Sequence, residues 1–189
     1  MTLPNKLTLS RFVAIPVMVI ISFLEPLKSV DNVLFGLDFA QLLFAILFIL
    51  ASFTDFLDGY LARKNNQVTT FGKFTDPIAD KLLVLTAFLY LQATTDRVLW
   101  WMTLIVIARE FIVTGVRLLA VEKGVVIAAS PFGKLKMVMT VIALVVLLFN
   151  DFGLPNLVGD ILLWLALLFT VLSGADYFWK NRRLVFESI

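Results

Sequence analysis

Residues 55–80 read DFLDGYLARKNNQVTTFGKFTDPIAD, set between two apolar runs, FAQLLFAILFILASFT at 39–54 and KLLVLTAFLYLQATT at 81–95. Each run has the length and composition of a membrane helix, and the polar stretch from Asn65 to Gly72 reads as a turn joining antiparallel neighbours. Asp55, Asp58, Asp76 and Asp80 then gather at one end of a helix pair. An aspartate at the centre of a membrane helix costs about 2.5 to 3.5 kcal/mol on insertion scales, so four together call for a shared compensating partner such as a metal ion.

Composition places the rest of the chain around this pair. The 189 residues are 60% hydrophobic and 16% charged, with mean hydropathy +0.96, far more apolar than a soluble domain. The fold class expected is an all-α integral membrane protein. Cysteine and histidine are both absent, which excludes disulfides and thiolate or imidazole metal sites. Acid–base work falls to Asp, Glu, Lys, Tyr or water. Nothing points to a nucleic-acid partner.

Crossing about 30 Å of hydrocarbon takes about 20 apolar residues. Six runs qualify, at roughly 7–24, 38–62, 77–95, 98–120, 133–150 and 157–178. Six crossings put both termini on one side. With that side cytoplasmic, all but Lys28 and Arg97 of the 16 basic residues lie inside or within the fourth span, as the positive-inside rule requires. The first run has no small-residue cleavage site after it and reads as a retained helix, with Pro16 a point where it can kink. Connections are short, with breakers at Pro26, Gly124, Pro131, Gly153 and Pro155. No linker or internal repeat is visible, so residues 1–189 read as one domain of the cell membrane.

At 100° per residue, Asp55 and Asp58 are about 60° apart on one helix and Asp76 and Asp80 about 40° apart on the next. Each pair shares a face. A single intramembrane aspartate is more often packing glue than catalyst, but four in register across two helices make an oxygen-rich site for two hard cations, Mg or Mn. Two such cations bridge a phosphate and lower the pKa of an attacking hydroxyl. Gly59 and Gly72 let a ligand approach the backbone.

The pattern Asp55-Phe-Leu-Asp58-Gly59-Tyr-Leu-Ala62-Arg63, eight residues, Gly72, three residues, Asp76, three residues, Asp80 resembles the complete signature of the CDP-alcohol phosphotransferases. That resemblance implies two metals, with Asp55 and Asp76 touching both, Asp58 completing one, and Asp80 completing the other while serving as general base. It implies that Gly59, Arg63 and Thr69 hold the CDP moiety, that the protein is a homodimer, and that a phosphoalcohol passes from a CDP-linked donor to an acceptor hydroxyl with release of CMP.

The acceptor is read from the fourth span, where Arg109, Glu110, Thr114 and Arg117 fall within an arc of about 140° on a helix otherwise apolar. A charge that deep needs a partner or a water-filled cavity. Glu110 is one available partner for Arg109. Guanidinium forks suit phosphate, so the stripe, with Lys134, is expected to bind an anionic acceptor; Lys136 reads as a positive-inside residue. Ala108-Arg109-Glu110-Phe, Gly115-Val-Arg117 and the N-terminal Pro4-Asn5-Lys-Leu-Thr8-Leu-Ser-Arg11 look like those of the family's phosphatidylglycerophosphate synthase branch. That implies CDP-diacylglycerol as donor and glycerol 3-phosphate as acceptor, with Asn5 and Thr8 bordering the nucleotide; otherwise Asn5 and Thr8 merely cap the first helix. Inositol phosphate, phosphatidylglycerol or serine would use the same chemistry. A divalent-cation transporter is the rival from another class, though its acids would be expected nearer the midplane, in repeated halves.

Overall fold

The computed structural model describes residues 3–64, 70–125, 127 and 131–186. Thr69 lies outside them, and so do the surroundings of Gly59 and the side chains of Asp58 and Arg63. The described chain is helical: α1 (Leu3–Phe23), a short α2 (Glu25–Lys28), α3 (Phe39–Lys64), α4 (Thr70–Thr94), α5 (Trp100–Glu122), α6 (Pro131–Leu148) and α7 (Leu157–Phe186), with a 3-10 turn at Asn150–Gly153. Each of the six apolar runs falls in one long helix but for one or two residues at an end. Pro16 lies inside α1 without ending it.

Three segments, Asn5–Phe23, Pro131–Leu148 and Leu157–Arg183, are long and apolar enough to cross a membrane, and α3 contributes a shorter apolar section, Phe39–Asp55. The other long helices fall short of that apolarity for a physical reason. α4 carries Asp76, Asp80 and Lys81, and α5 carries Arg109, Glu110 and Arg117, so the residues of chemical interest dilute the helices that hold them. The expected turn before Gly72 is shorter than the sequence suggests: α4 begins at Thr70, which places Gly72 on the helix one turn before Asp76.

α1 packs against both α3 and α4, and α7 against both α5 and α6. Met18, Phe44, Phe48, Phe88, Leu91, Val106, Leu144 and Leu163 form one buried core between them. Phe44 stacks on Tyr90 with ring centroids 3.8 Å apart. Facing outward, Phe111 and Phe23 are each 73% exposed and Leu118 is 66% exposed, an apolar surface suited to lipid.

At the far end of α4 from Asp80, a polar clasp joins the α4–α5 connection to the start of α7. Arg97 pairs with Asp151, reaches Asp160 at 2.8 Å and donates to the Asn156 carbonyl at 2.6 Å. The Gly159 amide donates to Asp151 Oδ1 at 2.5 Å. Asp151 is fully buried, and the clasp supplies the partners that such a charge requires. Burial pushes the Arg97 guanidinium down, but its hydrogen bonds and charge pairing with Asp151 and Asp160 outweigh that and hold it above its ordinary value.

Candidate active site

α3 delivers Asp55, and α4 delivers Asp76 and Asp80 one turn apart. Between the two helices lies α1, and from it Arg11 enters the carboxylate cluster with its side chain fully buried. Arg11 Nη1 donates to Asp55 Oδ1 at 2.5 Å and to Asp80 Oδ1, while Nη2 stands 3.6 Å from Asp76 Oδ1. One turn earlier on α1, buried Thr8 donates its hydroxyl to Asp76 Oδ1 at 2.5 Å. A single guanidinium therefore gathers three carboxylates that would otherwise repel one another.

Asp55, Asp76 and Asp80 keep 25%, 38% and 23% of their side-chain surface exposed. They are accessible from outside while held from within. Among the described residues these carboxylates do not themselves close into a metal cage, and Asp58, the fourth member expected, has its side chain outside the described set. The donor chemistry does fit a hard divalent cation: every candidate donor atom is a carboxylate oxygen, and the charge they present already attracts a cation, Arg11.

Beside the cluster, α4, α5 and α6 line a half-open cavity of about 170 Å³ whose charged lining is Asp80, Lys81, Arg109, Glu110 and Lys136, with Gly133 also in its wall. Lys136 Nζ donates to Glu110 Oε1 at 2.6 Å, Arg109 Nη1 donates to the same oxygen at 2.9 Å, and Lys81 Nζ lies 3.8 Å from Oε2. Arg109 also donates from Nε to Ser173 on α7 at 3.1 Å, and Lys81 donates to Thr114 Oγ1 at 2.6 Å. The cavity thus holds more cationic than anionic groups and retains unused N–H donors, since a lysine ammonium carries three and a guanidinium five.

The sequence-predicted residues divide over this geometry. Asp55, Asp76, Asp80 and Thr8 come together in the cluster, with Asn5 one turn before Thr8 on α1 and buried Gly72 one turn before Asp76 on α4. Arg109 lines the cavity, and Thr114 holds Lys81. Arg117 does not line it. Its Nε donates to the Tyr177 hydroxyl at 3.3 Å and its guanidinium stands 5.8 Å from that ring centroid, so the expected arginine stripe splits between the cavity and α7. Lys134 is exposed, whereas Lys136, expected to be a surface charge, is 7% exposed and ion-paired. Two residues apart on a helix is about 200°, so only one of these lysines can face a given neighbour.

Arg11, Lys81 and Lys136 are the residues that sequence reasoning passed over. Arg11 had a signal: it stands three residues after Thr8, on the same face of an apolar helix. For Lys136 the spacing said that one of two lysines faces inward but not which.

Comparison with known proteins follows the same lines. The family model described as CDP-alcohol phosphatidyltransferase matches residues 1–172. A Bacillus subtilis protein named CDP-diacylglycerol–glycerol-3-phosphate 3-phosphatidyltransferase is 46% identical over 187 residues, covering 95% of this chain and 94% of that one. Proteins of the same name from Rickettsia typhi and Sodalis glossinidius are 40% and 35% identical, covering 93% and 99% of this chain and 94% and 98% of their own.

Proposed function

This chain belongs to the CDP-alcohol phosphatidyltransferase family, and we propose that it transfers a phosphatidyl group from CDP-diacylglycerol to the primary hydroxyl of glycerol 3-phosphate, giving phosphatidylglycerophosphate and CMP. The observation that carries this reading is the double membership of Asp80. Its carboxylate shares Arg11 with Asp55 and also lines the cationic cavity. A base placed beside an anion-binding cavity suits an acceptor that is an anion and carries a free hydroxyl. The relatives named for glycerol 3-phosphate support the same acceptor.

In this mechanism Asp80 takes the proton of the primary hydroxyl. The freed oxygen bonds to the phosphorus bearing the diacylglycerol, and the bond from that phosphorus to the bridging oxygen breaks with its electron pair leaving on CMP. Arg109, Lys81 and Lys136 bind the acceptor phosphate, Thr114 steadies Lys81, and Arg117 and Lys134, near the α5–α6 connection, draw the anion inward. Asn5, Thr8, Gly59, Arg63, Thr69 and Gly72 receive the donor, its acyl chains remaining in lipid. Two divalent cations, Mg or Mn, held by Asp55, Asp58, Asp76 and Asp80, would supply charge neutralisation at the pyrophosphate and acidify the hydroxyl.

We place six helices across the cell membrane with both termini and the aspartates at the cytoplasmic face, and a homodimer as the working unit; the positive-inside bias supports the first and the family resemblance the second. The test is CMP release by purified protein in mixed micelles of CDP-diacylglycerol and Mg, with glycerol 3-phosphate, inositol phosphate, phosphatidylglycerol and serine offered separately. Release confined to glycerol 3-phosphate is expected, and release with a different acceptor alone would overturn the assignment.

A further inference from the structure

We propose that Glu110 is a positioning residue that holds Lys81, Arg109 and Lys136, from three different helices, in one anion-receiving arrangement; this rests on reading the cavity as the acceptor site. Glu110 Oε1 takes a bond from Lys136 on α6 and another from its neighbour Arg109 on α5, while Oε2 faces Lys81 on α4. Its side chain is only 15% exposed, and Lys136 is 7% exposed. Three cations so close repel one another, and a buried ammonium without a counter-charge is costly, so without the carboxylate they would splay apart.

Within the group around Glu110, one carboxylate against three cations leaves two positive charges, and with Asp80, which also lines the cavity, the lining keeps a net charge of one, still the sign that attracts a phosphomonoester carrying about −1.5 to −2 at pH 7. Glu110 leaves each cation donors to spare. Lys136 gives one N–H to it, Lys81 gives one to Thr114, and Arg109 keeps hydrogens beyond those given to Glu110 and Ser173. The carboxylate stays in place while the acceptor phosphate takes those remaining donors. If Glu110 were only a competitor occupying the phosphate position, its neutralisation would tighten acceptor binding, so the two roles move affinity in opposite directions.

The experiment compares wild type, Glu110→Gln and Glu110→Asp in CMP release, with the two substrates titrated independently and thermal unfolding recorded for each protein. Glu110→Gln is expected to raise KM for glycerol 3-phosphate about tenfold or more while kcat and the KM for CDP-diacylglycerol stay near wild type. Glu110→Asp, which keeps the charge on a shorter stem, is expected to fall between. An unchanged or lowered KM for glycerol 3-phosphate in Glu110→Gln would overturn the inference, as would equal loss for both substrates. Wild type that ignores glycerol 3-phosphate would remove the functional reading but not this one. The deciding measurement is then stabilisation by inorganic phosphate: its loss in Glu110→Gln supports the positioning role, and equal stabilisation of both proteins refutes it.

Discussion

Arg11 is the residue on which the carboxylate cluster turns. It is fully buried and reaches Asp55, Asp76 and Asp80, and removing one partner of a buried ionic group typically costs about 3 to 5 kcal/mol because the remaining charges lose their compensation. Arg11→Met is therefore expected to lower the unfolding temperature in chelator and to abolish CMP release. Added Mg should recover more stability in that variant than in wild type, because cations bound by the same carboxylates supply the missing charge. Equal Mg stabilisation of the two proteins would show that Arg11 and the cations do not share ligands. Asp80→Asn tests the base at the same scale: turnover should vanish in a protein that still folds, its unfolding temperature falling less than that of Arg11→Met because Arg11 keeps Asp55 and Asp76, and normal turnover would remove Asp80 from the mechanism.

At the scale of elements, two glycines on different helices provide matched tests of packing. A Cβ on Gly159 would stand 2.5 Å from both Arg97 Nη2 and Asp151 Oδ1 and 3.0 Å from Leu147 Cδ2. Gly159→Ala should therefore cost about 1 to 3 kcal/mol through overpacking of the clasp between the α4–α5 connection and α7. Because the clasp lies at the end of α4 away from Asp80, CMP release per folded molecule should be unaffected. Gly115 on α5 has nothing within 4 Å of the same added atom, so Gly115→Ala should be neutral or stabilising by up to about 1 kcal/mol. Thermal unfolding of the two variants in one detergent checks the contrast. The clasp was invisible in the sequence, where Arg97 reads only as an outlying basic residue and Asp151 merely falls between the fifth and sixth apolar runs. Its members are up to 63 residues apart, and no local spacing reports such a pairing.

The whole molecule is two helical groups sharing a core, α1 with α3 and α4, and α7 with α5 and α6. The carboxylates arise in the first group, and the cationic cavity proposed for the acceptor spans the two through α4, α5 and α6. The chain has no native cysteine, so single substitutions give a clean report of orientation. Lys180→Cys should react with an impermeant thiol reagent only from the cytoplasmic side and Lys28→Cys only from the opposite side. Labelling of both from one side would overturn six crossings. The cation-transport alternative draws no support from the family match.

Helical class, the positions of the long helices and the meeting of Asp55 with Asp76 and Asp80 were legible in the sequence because they depend on apolar run length, a helical repeat of about 3.6 residues and a turn between two runs, while the side chain of Asp58 lies outside the described residues. Which cations serve which acids was decided only by tertiary structure. Arg11 meets Asp80 across 69 positions, Lys136 meets Glu110 across 26, and Arg117 turns to Tyr177 across 60. Long basic side chains reach whatever carboxylate or aromatic ring helix packing brings near them, and that packing is set by the combined burial of apolar faces from all six long helices rather than by any one segment.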